Sequence, residues 1–568
     1  MRRLEHILSG RTLFLAILIG SVLYLTLIPL LMILYGTFRD GPPGSPSSFT
    51  LTHYVKAYSA EELPALVMNT VVFAIGAATV SFVLGTFLAW ATERTNTPLK
   101  GLIYTLVLFP FVIPGILTTI SWVLLLSPQI GFINWVLINY LGFSAAPFSI
   151  YTMPGMIWAF GIDNITLPFF LMAASFRSMD PSLEEAAHVS GMNGLRVFWH
   201  VNVKLMLPSI LAIWLLLFIR GIETFEVPAV IGIPAEIKVF ASQIFLALTV
   251  TYPPDYNLAA THAVLYLLIA VIGVLIYLKV TSTTEKYTTI TGKAYRPRTQ
   301  DLRGWRYPCL AVCLSILFLA VVVPFLMILW VSLLPYYGRP SRELVALMTL
   351  KNYWFLAESD IFYLALRNNV VAGTLSATLA ALLSALIAWV VVRTKIPGRK
   401  LLDLLSFTPI AIPGVVMGLA LIWFYLSFPV PVYGTLWILV IAYVTKFIPI
   451  SLRACHSSML QIHPELEEAS VVSGSSEART FFRIVLPLML PGLVVGWFYV
   501  LTLTFKVLSL PVLLSHVGTQ VLPMVIFDLY RSGKFGDVCA LGTVLIVILA
   551  MVAALARMVA GRLGVQER

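Results

Sequence analysis

Apolar runs of about 20 residues recur along this chain, and no other feature narrows its fold so far. Each run is long enough to carry a helix across roughly 30 Å of hydrocarbon, where a backbone must satisfy its own hydrogen bonds. The runs fall near 12–36, 67–92, 101–126, 153–176, 207–232, 260–280, 308–334, 368–392, 401–427, 434–457, 489–514 and 539–562. Of the 568 residues 59% are hydrophobic and 11% charged, against about half and a quarter in soluble domains. The expected class is an all-α polytopic membrane protein with twelve transmembrane helices. Met1-Arg2-Arg3 looks like the head of a secretory signal. The apolar run from Leu13 to Phe38 is too long for a signal core, however, and no small-residue cleavage site follows it, so it reads as a retained span.

The net charge of +11 would suggest a nucleic-acid partner in a soluble protein; here its distribution matters more, and none is expected. With the N-terminus placed in the cytoplasm, most of the 37 Lys and Arg fall on the inner side, as the positive-inside rule requires. Both termini are then cytoplasmic. The stretch from Lys279 to Arg306, with Lys286, Lys293, Arg296, Arg298 and Arg303, reads as an inner-side linker beside anionic lipid. Ile133 to Phe143 is apolar but too short to span, and an interfacial or re-entrant helix is expected there. Cys309, Cys313, Cys455 and Cys539 lie in or beside spans without zinc-ligand spacing and read as small core residues.

The chain repeats itself. Asn69 matches Asn368, Ala89-Trp90 matches Ala388-Trp389, Arg94-Thr95 matches Arg393-Thr394, and Pro110-x3-Pro114-Gly115 matches Pro409-x3-Pro413-Gly414, all at one offset. Further on the offset shortens, so the first half holds extra residues, expected in its outer loop around 127–151. An even number of spans per half gives two parallel six-helix repeats about an axis along the membrane normal. The prolines are expected to bend or break their spans.

Polar motifs repeat as well. Pro181-Ser-Leu-Glu184-Glu185-Ala186-Ala187-His-Val-Ser-Gly191 leads to Phe198-Trp199 and Pro208; Pro464-Glu-Leu-Glu467-Glu468-Ala469-Ser470-Val-Val-Ser-Gly474 leads to Phe481, Ile484, Leu486-Pro487 and Pro491. Lipid-facing sequence needs neither glutamate nor glycine at fixed spacing, so something outside the membrane is expected to dock twice. Asp180 suits an N-cap, Pro181 a first turn, and the glutamates the positive end of the helix dipole. Gly191 can take the left-handed conformation that ends a helix. A helix-turn-helix along the inner membrane face follows, its second helix running from Leu195 to Leu205.

These segments resemble the cytoplasmic EAA loop of binding-protein-dependent ABC importer permeases. Glu468, Ala469, Gly474, Ile484, Leu486 and Pro487 match in the second copy, with Ser470 for an alanine. Glu185, Ala186, Ala187 and Gly191 match in the first, which has Lys204 where the family has proline. The whole chain looks like the fused permeases of the ferric-iron importer family, to which thiamine permeases are related; Ile222-Glu223-Thr-Phe-Glu226-Val227-Pro228 adds to that likeness. The resemblance implies type I importer architecture, with a first half at 1–282 (coupling loop 179–206), a linker at 283–306 and a second half at 307–568 (coupling loop 460–488). It implies docking on an ABC ATPase, in two copies, through Glu184, Glu185, Ala186, Ala187, Gly191, Glu467, Glu468, Ala469, Gly474 and Pro487. It also implies a periplasmic binding protein, the bacterial inner membrane, and ferric iron as substrate, with thiamine or a polyamine as alternatives. Lys204 implies unequal docking of the two loops.

Ionisable groups inside a membrane are costly and point to function. Asp163, Arg220, Glu223, Glu226, Lys446 and Lys506 are the candidates for a substrate pathway or gate. By repeat position Glu223 corresponds to Lys506 and Asp163 to Lys446, so ion pairs between these equivalents are expected across the interface between halves. Glu226, whose equivalent is Ser509, is the candidate for meeting a cation or metal. No Gly-x4-Gly-Lys-Ser/Thr phosphate loop occurs, so the chain is expected to bind no cofactor and to be no enzyme, ATP being used by its partner. A secondary ion-coupled transporter would need no duplicated docking loops, and a membrane-embedded enzyme would need a polar catalytic cluster at one face.

Overall fold

The computed structural model describes residues 10–179, 181–284, 299–338, 341–428 and 430–562. Among them eight helices are long and apolar enough to cross a membrane, and four bent helix pairs bring the total to as many as twelve spans. The chain is an all-α polytopic membrane protein.

Its earlier part holds α1 (Gly10–Thr37), α2 (Leu63–Glu93), the bent pair α3 (Lys100–Val112) and α4 (Gly115–Leu126), and the bent pair α5 (Met153–Asp163) and α6 (Thr166–Arg177). The short α7 (Pro181–Val189) precedes α8 (Phe198–Glu223), the short apolar α9 (Phe240–Thr249) and α10 (Tyr256–Thr284). The later part holds α11 (Arg303–Ser332), α12 (Asp360–Arg393), the pair α13 (Arg399–Ala411) and α14 (Gly414–Ser427), and α15 (Leu436–Gln461). The short α16 (Glu465–Val472), the pair α17 (Glu477–Leu488) and α18 (Leu490–Thr504), α19 (Leu522–Arg531) and α20 (Phe535–Arg562) complete it. Lys286, Lys293, Arg296 and Arg298 of the expected linker lie outside the described residues, as does Asp180. The short segment after α4 forms a helix, Phe132–Leu141, pinned by Asn134, whose side-chain amide donates to the carbonyls of Leu126, Ser127 and Phe148 at 3.2, 3.1 and 2.8 Å.

Proline explains the sharpest bends. α3 meets α4 at 99° and α13 meets α14 at 111°. A proline pushes the residue before it out of helical conformation, and Ile113 and Ile412 are both extended, with ψ of 130° and 115°. The fifth hydrophobic runs divide too, contrary to the single spans expected at 207–232 and 489–514. α8 stops at Glu223 and the chain turns again at Pro228–Gly232; α18 stops at Thr504 and the chain turns again at Pro511–Leu514. Each new turn starts on a proline, whose missing N–H a first helical position does not need. Apolar sequence resumes beyond each break, so the length of the run alone does not reveal it. Lys204 has its own consequence: α17 and α18 meet at 70° around Pro487 and Pro491, whereas α8, with Lys204 and Pro208, runs unbroken.

Matched contacts recur in both parts. The indole N–H of Trp214 donates to Thr79 at 3.1 Å, and that of Trp497 to Thr378 at 3.0 Å. Asn69 donates to the carbonyl of Lys238 at 3.2 Å, and Asn368 to that of Gln520 at 3.0 Å. These asparagines hold interhelical backbone, the ordinary role of such groups in membranes.

The first helices of the two parts are exchanged. Leu15, Leu18 and Val22 of α1 share a core with Ala385, Leu402, Cys455 and Met459, and Tyr24 shares a 2.8 Å hydroxyl bond with Tyr425 of α14. In return α11 packs beside α4, and just beyond it Tyr337 donates to the carbonyls of Leu124 and Ile130 at 2.6 and 2.8 Å. Gly36 permits the first crossing, because a Cβ there would lie 2.5–2.8 Å from the Trp423 ring. Gly36→Val is expected to cost about 1–3 kcal/mol through overpacking, and thermal unfolding of the purified chain in detergent checks it as a lowered midpoint.

Candidate functional site

Two regions gather the polar residues, one at an end of the bundle and one inside it. At the end, α7 and α16 are short helices, each closed by a glycine in the left-handed region, Gly191 at φ +84° and Gly474 at φ +86°. The amides that follow turn back in the same way: Met192 donates to Ala187 and Ser475 to Ser470, both at 3.1 Å. The expected second helix from Leu195 to Leu205 is instead a short helix, Gly194–Val197, followed by the π-helical turn Phe198–Asn202 with which α8 begins.

The paired glutamates divide their roles. Glu184 forms an ion pair with Arg94 at the end of α2, and the two side chains are 14% and 6% exposed. Glu467 pairs with Arg393 at the end of α12 at 2.8 Å, and Trp389 also donates to it, at 3.1 Å. Glu185 and Glu468 are exposed, as are Ala186, Gly191, Ala469, Gly474 and Pro487. Ala187 is buried, as is Val197; the corresponding Ser470 and Thr480 share a 2.8 Å hydroxyl bond, so the serine came with a partner. The arginines stood in the sequence only as repeated Arg-Thr steps. The arginines and the glutamates each recur, although at different offsets, and that shared recurrence was the available sign that they belong together.

Inside the bundle lies a cavity of about 470 Å³ whose wall includes Asp163, Arg220, Glu223, Glu226, Lys446 and Lys506. Three carboxylates face three cationic groups, so their formal charges cancel. Glu223 pairs with Lys446, not with Lys506 as repeat position suggested. The reason lies in the broken third spans, which free backbone carbonyls that need donors. Lys446 donates to Ile412 at the α13–α14 break, at 2.6 Å, and so stands where Glu223 reaches it. Lys506 donates to Phe111 beside the α3–α4 break and lies 5.1 Å from the Phe111 ring centroid. Asp163, at the position equivalent to Lys446, faces the opposite lip of the first break, near Gly115 at the start of α4, where a helix dipole favours an acid. It lies within electrostatic reach of Lys506. Glu226 bridges the two parts by accepting from the amides of Phe225 at 3.2 Å and Leu508 at 3.3 Å. Among the described residues no group of three or more His, Cys, Asp or Glu side chains is placed to hold a metal ion. Phe111, Ile412 and Leu508 act through backbone atoms, which a search for polar side chains does not find.

Residues 377–564 match the family of binding-protein-dependent transport system inner membrane components. The ferric transport system permease protein FbpB of Actinobacillus pleuropneumoniae is 27% identical over 94% of this chain and 77% of its own length. The chain is thus similar to binding-protein-dependent ABC permeases. Permeases of this family are the non-catalytic transmembrane component of their transporters. The Fe(3+)-transport system permease protein FbpB 2 of Haemophilus influenzae is 21% identical over 84% of this permease and 86% of its own length. The spermidine/putrescine transport system permease protein PotC of Haemophilus influenzae is 27% identical over 34% of the permease and 76% of its own length. Among solved structures, a bacterial alginate ABC transporter in complex with alginate pentasaccharide-bound periplasmic protein overlays 52% of the permease at 19% identity and a TM-score of 0.41.

A Cβ on Gly474 would meet nothing within 4 Å, so its replacement isolates the backbone cost. Gly474→Ala is expected to destabilise the turn by about 1–2 kcal/mol, and Gly474→Asn by less. Hydrogen exchange of the α16 amides in the purified permease reads both.

Proposed function

We propose that this permease belongs to an ATP-driven importer that moves ferric iron, delivered by a periplasmic binding protein, across the bacterial inner membrane into the cytoplasm. The observation that carries the substrate is the FbpB relative, named for ferric transport, which aligns over 94% of the chain. A polyamine is the second reading, favoured by the PotC match, but that covers only 34% of the chain. A hard ferric ion suits the oxygen donors Glu226 and Asp163.

In this reading the permease has two parallel six-span halves, 1–282 and 307–568, joined by a cytoplasmic linker at 283–306, with both termini cytoplasmic. Loops 179–206 and 460–488 each receive one ATPase subunit on α7 or α16, with Glu185 and Glu468 as the exposed acids. ATP is bound and hydrolysed by those subunits. The cavity is the passage, and the Glu223–Lys446 pair is its latch. An arriving cation competes for Glu223, and the freed Lys446 keeps its bond to the Ile412 carbonyl, so neither partner is left without a contact.

The test is uptake of radiolabelled ferric iron by vesicles holding this permease with its ATPase and binding protein. ATP-dependent iron uptake is expected, and Glu468→Ala should reduce it about tenfold or more, the loss of one charge-assisted contact of about 1.5–3 kcal/mol. ATP-dependent uptake of spermidine in place of iron would move the substrate to the second reading, and uptake driven by an ion gradient without the ATPase would overturn the importer. Removing one partner of a buried ion pair costs about 3–5 kcal/mol. Glu223→Lys and Lys446→Glu should therefore each abolish uptake, and the exchanged double variant should regain part of it.

A further inference from the structure

We propose that Arg94 and Arg393 are positioning residues that fasten the two docking helices to the second span of each half, so that Glu184 and Glu467 are internal struts and Glu185 and Glu468 alone face the ATPase. The proposal deepens the importer reading and rests on it for the ATPase contact. The first observation is burial. Glu184 and Glu467 are each close to 15% exposed, while the next residue in each copy is exposed. A glutamate meant for a partner chain gains nothing from being held against an arginine of its own chain. The second is recurrence: Arg94 and Arg393 match in the span repeat, Glu184 and Glu467 match in the loop repeat, and each arginine meets the glutamate of its own copy. Packing alone does not call for the same ion pair twice.

The third observation is what the struts connect. Arg393 also donates to the carbonyl of Met459 at 3.2 Å and to that of Ile462, so it holds the C-terminal end of α15 together with α16. A guanidinium can do both because its donors lie in one rigid fork. The Arg94 carbonyl accepts from Gln300 at 2.7 Å, which brings the end of the linker to the same place. From the struts, α2 runs along α5, α6 and α8, and α12 runs along α15 and α18. Asp163, Glu223 and Lys446 stand on those neighbours, and Lys506 follows α18 directly. Displacement of a docking helix is thereby delivered to the walls of the charged cavity through a buried ion pair and a rigid span.

The struts are unequal. Beside the first, Arg177 pairs with Glu93 at 3.1 Å and donates to Tyr104 at 2.6 Å. Val392 and Leu460 stand at the matching places in the second half, where no such pair can form. The second strut is braced instead by Trp389 and by the Met459 and Ile462 carbonyls, and because Arg393 itself holds Glu467 and both carbonyls it is the residue to change.

The experiment has two arms. In the purified permease alone, Arg393→Ala should speed hydrogen exchange of the α16 amides by on the order of tenfold, Arg94→Ala should affect α7 less, and Arg393→Lys should fall between wild type and Arg393→Ala. In the complete transporter, Arg393→Ala should still retain the ATPase while iron imported per ATP hydrolysed falls by on the order of tenfold. The exchanged Arg393→Glu/Glu467→Arg variant should recover part of that ratio. Unchanged exchange at α16, or an unchanged transport-to-ATP ratio, overturns the proposal. So does loss of ATPase retention in Glu467→Ala with retention intact in Arg393→Ala, because Glu467 would then be a docking contact. If the wild-type transporter imports nothing, the importer reading falls, while the first arm still decides whether the struts hold the docking helices.

Discussion

Hydrocarbon offers no partner to a backbone carbonyl, so a transmembrane helix can break only where something else donates to the groups it frees. Both third spans of this permease break at proline, and two lysines answer: Lys446 to Ile412 and Lys506 to Phe111. Much of the interior follows from that demand. The lysines need carboxylates nearby to be tolerated, and the carboxylates bring charge into a cavity that lipid would otherwise seal. The result is a chamber in whose wall three carboxylates and three cationic groups cancel in formal charge.

The same demand explains an inversion between the two parts. A broken helix exposes carbonyls at one lip and amides at the other. Lys446 serves a carbonyl lip, while Asp163, at the equivalent position, faces the start of α4, an amide lip. Opposite charges at equivalent places thus serve one architectural purpose. Symmetry of backbone does not require symmetry of charge when the two lips differ in sign.

Much of this was legible in the amino-acid sequence, for physical reasons that can be named. Apolar length reports membrane crossing because hydrocarbon thickness is fixed, and Pro-Gly after an apolar run reports a break because proline constrains the residue before it. Gly191 announced a left-handed turn by its place after a polar helix, and Gly474 stood at the matching place in the second copy. The breaks after Glu223 and Thr504 stayed hidden because apolar sequence resumes beyond each of them, and the charges beside them, Glu226 and Lys506, read as a pathway and not as a break. The choice of Lys446 by Glu223 stayed hidden as well. It depends on where the Ile412 carbonyl points, and no side-chain pattern records that.

The exchange of first helices bears on how the chain is made. A ribosome delivers α1 long before α14, the helix on which Tyr24 and Gly36 rest, and delivers α4 well before its neighbour α11. Until those partners emerge, the facing surfaces are covered by lipid or by the insertion machinery. Neither part can reach its final packing while it is the only one synthesised, and because both lie on one polypeptide each finds its missing helix on the same molecule.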